Sequence, residues 1–157
     1  MSSQNRRWLG WALGLSIAGL GVSIYLWLGK LGNAPLICGP SGGCISVNAS
    51  PYSEIFGIPV AALGALMYLC LAAIALYLLF SPKRSGKESP PGVAFAGFAI
   101  ALSGALFSLY LTGIEAFVLR AYCIWCLVSW GIITTTAVLW ARALLNKPGE
   151  ARSTRRT

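Results

Sequence analysis

Apolar residues fill the chain in four long runs, at residues 8–28, 58–80, 93–112 and 123–145, separated by shorter polar stretches. A helix needs about 20 mostly apolar residues to cross a bilayer, and each run is about that long. The pattern predicts four membrane-spanning helices, and with them an all-α integral membrane protein folded as a four-helix bundle. The first run follows Arg6 and Arg7, the basic start of a secretory leader. It is too long for a leader's apolar core and no Ala-x-Ala cleavage site follows it, so the reading is a retained first helix.

Details within the runs fit membrane helices. Trp8, Trp11, Tyr25 and Trp27 flank the first run and suit the two interfacial aromatic belts. Gly10 and Gly14, with Ala18 one turn on, form a small-residue face that admits a close neighbour. The second run tolerates Pro59 in its first turn and continues with Ala61, Ala62, Gly64 and Ala65. The third is rich in small residues through Ala94, Gly97, Ala101, Gly104 and Ser108.

The polar intervals read as loops. Residues 30–56 are too rich in Gly, Pro and Ser for a span and form an extramembrane loop carrying Cys38 and Cys44. Within it, residues 50–57 are mildly amphipathic and are expected to lie along the membrane surface. Residues 81–92 form a short basic loop. Residues 113–122 form a short connection containing Glu115 and Arg120, and residues 146–157 a basic, disordered-looking tail.

Composition agrees: 57% of residues are hydrophobic and 10% charged, with net charge +8. Soluble domains carry about a quarter charged residues, so the positive charge is topological rather than nucleic-acid binding. Cations cluster at residues 1–7, in the 81–92 loop and in the tail. The Cys38/Cys44 loop holds Lys30 and the 113–122 connection holds Arg120. The positive-inside rule then puts both termini in the cytoplasm and the cysteine-bearing loop outside. With neither His nor Asp in the chain, Ser-His-Asp triads and His-rich metal sites are excluded. Spans without uncompensated charge disfavour an ion or proton-coupled transporter.

That topology brings Cys38, Cys44, Cys123 and Cys126 to one face, in a compartment where disulfides persist. Cys123-Ile124-Trp125-Cys126 opens the last span. Unsatisfied N–H groups and the positive dipole end favour a thiolate at a helix start, and Arg120 is expected to push the same way. Two pairs at one face can pass a disulfide between them through thiolate attack. The Gly-rich Cys38/Cys44 segment suits reaching a soluble partner, and the helix-borne pair suits a fixed inner site. Electrons then collect at Cys126, deeper in the apolar layer. No haem, flavin or iron–sulfur pattern is present, which points to a lipid-soluble quinone. The same cysteines also suit static loop staples in a membrane scaffold, or a four-Cys zinc or copper site. Cys70, mid-span, reads as a small apolar packing residue.

The chain closely resembles the vitamin K epoxide reductase family, in its bacterial branch. The matching stretches are Cys38 and Cys44 with five residues between, Ser50-Pro51-Tyr52-Ser53 with Ile55-Phe56-Gly57-Ile58-Pro59, Ser108-Leu109-Tyr110-Leu111, and Cys123-Ile124-Trp125-Cys126. They fall in the family's order across nearly all of residues 8–145. The unrelated disulfide oxidase of enteric bacteria places its Cys-x-x-Cys first. The resemblance implies a bacterial inner-membrane enzyme that reoxidises a separate periplasmic thioredoxin-like protein and reduces a membrane quinone, of ubiquinone or menaquinone type. It implies that Cys126 reacts with the quinone and Cys123 resolves it, while one loop cysteine meets the partner and the other relays to Cys123. Ser53 and Trp130 occupy the positions that hold the quinone oxygens, and Phe56 and Leu111 would line the ring. Relatives acting on vitamin K carry Asn and Tyr in place of Ser53 and Trp130, so plain quinone reduction is expected here rather than epoxide reduction.

Overall fold

The computed structural model describes residues 3–32, 35–38, 42–85 and 91–145. The tail at 146–157, residues 86–90 of the 81–92 loop and residues 39–41 of the turn between Cys38 and Cys44 lie outside the described residues. Helix α1 is Ser3–Lys30, α2 Gly43–Ala49, α3 Val60–Ser85, α4 Pro91–Ile114 and α5 Ile124–Leu145. Four stretches are long and apolar enough to span a membrane: Gln4–Lys30, Val60–Phe80, Gly92–Leu119 and Ile124–Leu145. The protein is a helical membrane bundle in which α1 packs on α3 and α5, and α4 packs on α5 and α3.

The seam of α1 runs through Asn5, Leu9, Ala12, Ser16, Gly19, Ser23 and Leu26, all buried. Their spacing alternates four and three residues, the repeat of a left-handed helix pair. Lipid is as apolar as leucine, so close approach of small residues rather than escape from water sets such seams. Gly19 lets the ring of Tyr68 lie directly on α1, Gly97 receives Trp140, and Gly104 receives Met67 and Ile133. Gly10, Gly14 and Ala18, the expected close-approach face, are exposed instead, and a Cβ at Gly10 or Gly14 would meet nothing within 4 Å. Ser16 and Ser23 take the seam because it follows the heptad, one helical face away. Cys70 also faces outward rather than packing in the core.

Between α1 and α3 the chain builds a small cap. Helix α2 is followed by a 3₁₀ turn, Pro51–Ser53, and by strands β1 (Glu54–Ile55) and β2 (Ile58–Pro59), paired antiparallel. The expected amphipathic surface segment at 50–57 is therefore a 3₁₀ turn plus hairpin. Phe56 and Gly57 both have positive φ, 52° and 79°, the two-residue geometry that matches strand twist. Lys30, at the end of α1, ties the cap down: its ammonium donates to the Asn48 carbonyl and the Ser53 hydroxyl, each at 2.7 Å, and pairs with Glu54 at 3.2 Å.

The connection before α5 also differs from expectation. α4 runs to Ile114 and continues into a π-helical turn, Glu115–Leu119, closed by Arg120 in the left-handed region at φ 49°. Glu115-Ala116-Phe117-Val118-Leu119 contains no helix breaker, so nothing stops the helix at residue 112. Glu115 is thereby carried inside the bundle, 3% exposed.

Candidate active site

Cys123 immediately precedes α5 and Cys126 lies in its first turn. The Cys123 carbonyl accepts from Leu127 N–H at 3.1 Å, and its Sγ accepts the Cys126 N–H at 3.4 Å, so the thiol stands where a capping oxygen would. The Cys123 N–H donates to Oε2 of Glu115 at 3.0 Å. The π turn thus spends its one carboxylate on the mouth of α5.

Helix α2 delivers the second pair. Gly43 lies directly on the backbone of Tyr122: a Cβ there would overlap the Tyr122 carbonyl oxygen. This contact seats Cys44 beside Cys123, each 1% exposed, in one cluster with Leu26 against which Cys38 and Cys126 pack. Cys38 is half-buried and lies against the Cys44 thiol. Its strand of chain is pinned from both sides. Trp125 Nε1 donates to the Ile37 carbonyl at 2.9 Å, and Ile37 N–H donates to the Tyr25 hydroxyl at 2.7 Å. The two rings meet edge to face at 5.1 Å. The four thiols, unbridged here, form a continuous file: Cys38, Cys44, Cys123, Cys126.

Electrostatics divides them. The Cys126 S–H turned toward it holds the Cys123 thiol below its ordinary range; burial opposes this, and the Cys44 thiol adds to it. Cys44 is pushed up to about 12, first by burial, then by its hydrogen bond with Cys38 and the charge on Cys123. Of these two, Cys123 is the thiol whose surroundings favour the charged form. Arg120, expected to favour that thiolate, is exposed and plays no part. The charge facing the pair is Glu115's, of the opposite sign.

Beyond Cys126 the file opens into a cavity of about 440 Å³, within the range of small-molecule sites. Its walls are mostly apolar, among them Met67, Phe107, Leu111 and Leu119, with Asn48, Ser53, Tyr68 and Glu115 as polar points. Ser53 and Leu111 line it; Phe56 and Trp130 do not. Phe56 stands fully exposed at the hairpin tip, because both turn residues adopt left-handed φ and project the side chain away from the bundle. Trp130 is half-buried outside the lining. The cavity-facing position of that turn belongs to Ser129, whose carbonyl accepts from the Tyr68 hydroxyl at 3.0 Å. Ser53 borders the cavity with its hydroxyl already engaged by Lys30 and by the Asn48 and Ser50 carbonyls.

Glu115, Asn48 and Tyr68 are the site residues that sequence reasoning passed over. For Glu115 a signal existed: it is the acid inside an otherwise apolar stretch that runs from 92 to 119, and intramembrane acids are functional by default. Among the described residues no group of three His, Cys, Asp or Glu side chains is placed to hold a metal ion. A family model for the Vitamin K epoxide reductase family matches residues 10–141.

Proposed function

The chain belongs to the vitamin K epoxide reductase family, whose members are membrane thiol–disulfide oxidoreductases, and from that premise we propose a thiol:quinone oxidoreductase. It reoxidises a periplasmic thioredoxin-like protein and passes the electrons through Cys38/Cys44 and Cys123/Cys126 to a membrane quinone, which drives disulfide formation. It sits in a bacterial inner membrane, with both termini cytoplasmic and the site at the extracytoplasmic face. The observation that carries this reading is the file of four thiols ending on an apolar cavity. A quinone ring fits the residues present: mostly apolar walls, few polar groups, and Cys126 in the lining. Bound there, it supplies a sink for two electrons and two protons.

The protein's residues then divide the work. The partner's thiolate attacks Cys38, the less buried of the loop pair, and releases Cys44; the partner's second thiol resolves the mixed disulfide. Cys44 attacks Cys123 of the Cys123–Cys126 disulfide and releases Cys126. Cys38 then attacks Cys44, re-forming the loop disulfide and leaving Cys123 and Cys126 reduced. Each exchange conserves one disulfide.

Purified protein, a reduced thioredoxin-fold substrate and a short-chain ubiquinone or menaquinone test this. Cys126→Ser must abolish quinone-linked oxidation while leaving a trapped Cys44–Cys123 disulfide. Activity surviving that substitution would sink the mechanism, and no activity with either quinone type would sink the function. A reporter fused at Ser41 that reads out in the cytoplasm would overturn the orientation.

A further inference from the structure

Glu115 lies at the junction of the inner pair and the cavity. It is 3% exposed, it borders the cavity, and its carboxylate holds the Cys123 N–H at 3.0 Å. The Cys126 thiol lines the same cavity and is close enough to bear on the Glu115 carboxyl. No Lys or Arg is among the described cavity-lining residues, so no cation offsets it there. The other titratable groups lining the same space are Tyr52, Tyr68, Cys123 and Cys126. Burying a carboxylate without a cation is costly, and one main-chain N–H could be capped by a neutral amide. A carboxyl is needed only if a proton must be held.

We infer that Glu115 is the proton carrier of the inner site, taking the Cys126 S–H proton and passing it to the electron acceptor in the cavity. This deepens the quinone reading above and rests on it for the identity of the acceptor. Oxidation of the Cys123 and Cys126 thiols to a disulfide releases two electrons and two protons, and the quinone takes up two of each to become the quinol. One proton is Cys126's: it crosses to Glu115 as the sulfur gives up its electron pair, and moves on to a quinone oxygen. The other is Cys123's, which leaves to outside water, and the quinone draws its second proton from that water. The π turn supports this role geometrically. Such turns are frequent at functional sites, and this one carries the acid to the Cys123 N–H and into the cavity wall.

Glu115→Gln separates the roles, because an amide oxygen still accepts from the Cys123 N–H but carries no proton. Quinone-linked turnover with a short-chain ubiquinone should fall about 100-fold, the low end of general acid–base contributions, while exchange between the partner and Cys38/Cys44 stays at the wild-type rate. Infrared difference spectra between the dithiol and disulfide forms, recorded without quinone, give the independent readout. When a water-soluble diazene oxidant takes the two electrons in the quinone's place and draws its own protons from water, the Cys126 proton remains on Glu115, so a protonated-carboxyl band must appear, move in D₂O and vanish in Glu115→Gln. Glu115→Asp must retain a displaced band. Turnover of Glu115→Gln within threefold of wild type, or no such band in wild type, would overturn the assignment. If the glutamine variant does not fold, the wild-type band and its D₂O shift still decide. Wild-type protein that shows the band yet reduces no quinone would instead overturn the quinone reading and leave Glu115 as the proton store of Cys126.

Discussion

Replacing Gly43 by Ala tests whether the contact between α2 and the start of α5 sets the electron relay. The added Cβ would meet three backbone atoms of Tyr122, the carbonyl oxygen inside contact distance and the carbon and nitrogen at 3.0 Å. Backbone cannot swing aside as a side chain can, so α2 must withdraw by about 1 Å. Two terms oppose each other. Ala favours the helical conformation over Gly by about 1 kcal/mol, whereas overpacking costs about 1–3 kcal/mol. The net loss of stability is thus small, and the protein stays folded. The relay is far more sensitive, because a misplacement of about 1 Å at reacting atoms can slow a reaction about 100-fold. The assay uses protein carrying Cys38→Ser and Cys126→Ser, in which Cys44 and Cys123 are left to pair. Mild oxidation should close that bridge quickly, and adding Gly43→Ala should slow closure by about two orders of magnitude. Gly131→Ala, where a Cβ meets nothing within 4 Å, serves as the silent control. Closure at an unchanged rate in the Gly43→Ala protein would refute the idea that this contact aligns the two sulfurs.

Three further outcomes follow from the same geometry. Cys44 is raised to about 12 partly by the charge on Cys123, so Cys123→Ser must lower the pH at which Cys44 begins to react with a small alkylating agent; an unmoved or higher onset would contradict the coupling. Lys30→Met removes two hydrogen bonds from a charged donor and one partly exposed ion pair, about 1.5–3 kcal/mol for each bond and under 1 for the pair. The cap should loosen, and a protease should cut between residues 42 and 59 much faster than in wild type, with equal cleavage rates counting against the clamp. Trp125→Phe keeps the ring stacked on Tyr25 but loses the bond to the Ile37 carbonyl, so Cys38 should be alkylated several-fold faster, consistent with about 1 kcal/mol for a neutral hydrogen bond.

The existence and number of the spans were legible because lipid demands long uncharged runs and internal backbone pairing. Which face of each helix turns inward was not. On a membrane helix the outward positions are as apolar as the inward ones, so Gly10 and Gly14 look as good a seam as Ser16 and Gly19. Only the match with Tyr68 on the facing helix decides between them. The cap was illegible for a different reason. Its fold rests on single contacts, such as the ammonium of Lys30 and the approach of Gly43 to Tyr122, that leave no periodic trace in the chain.

Phe56 and Trp130 show the limit of carrying roles over by position. Both were expected against a bound ring, yet the left-handed turn projects Phe56 outward and Ser129 takes the cavity side of the turn that Trp130 shares. Glu115 shows the converse. It looked like part of a polar connection because an acid after an apolar run usually marks the water boundary. The residues around it decide otherwise: Ile114 and the four residues after Glu115 are all apolar, so the helix stays in the membrane and takes the acid with it. A carboxylate kept there needs a partner, and the Cys123 N–H at 3.0 Å is one. The same bond holds the carboxyl at the start of α5, in the cavity wall that Cys126 shares, so the feature that makes Glu115 tolerable in the bundle also puts a proton-holding group in the space the sulfur faces.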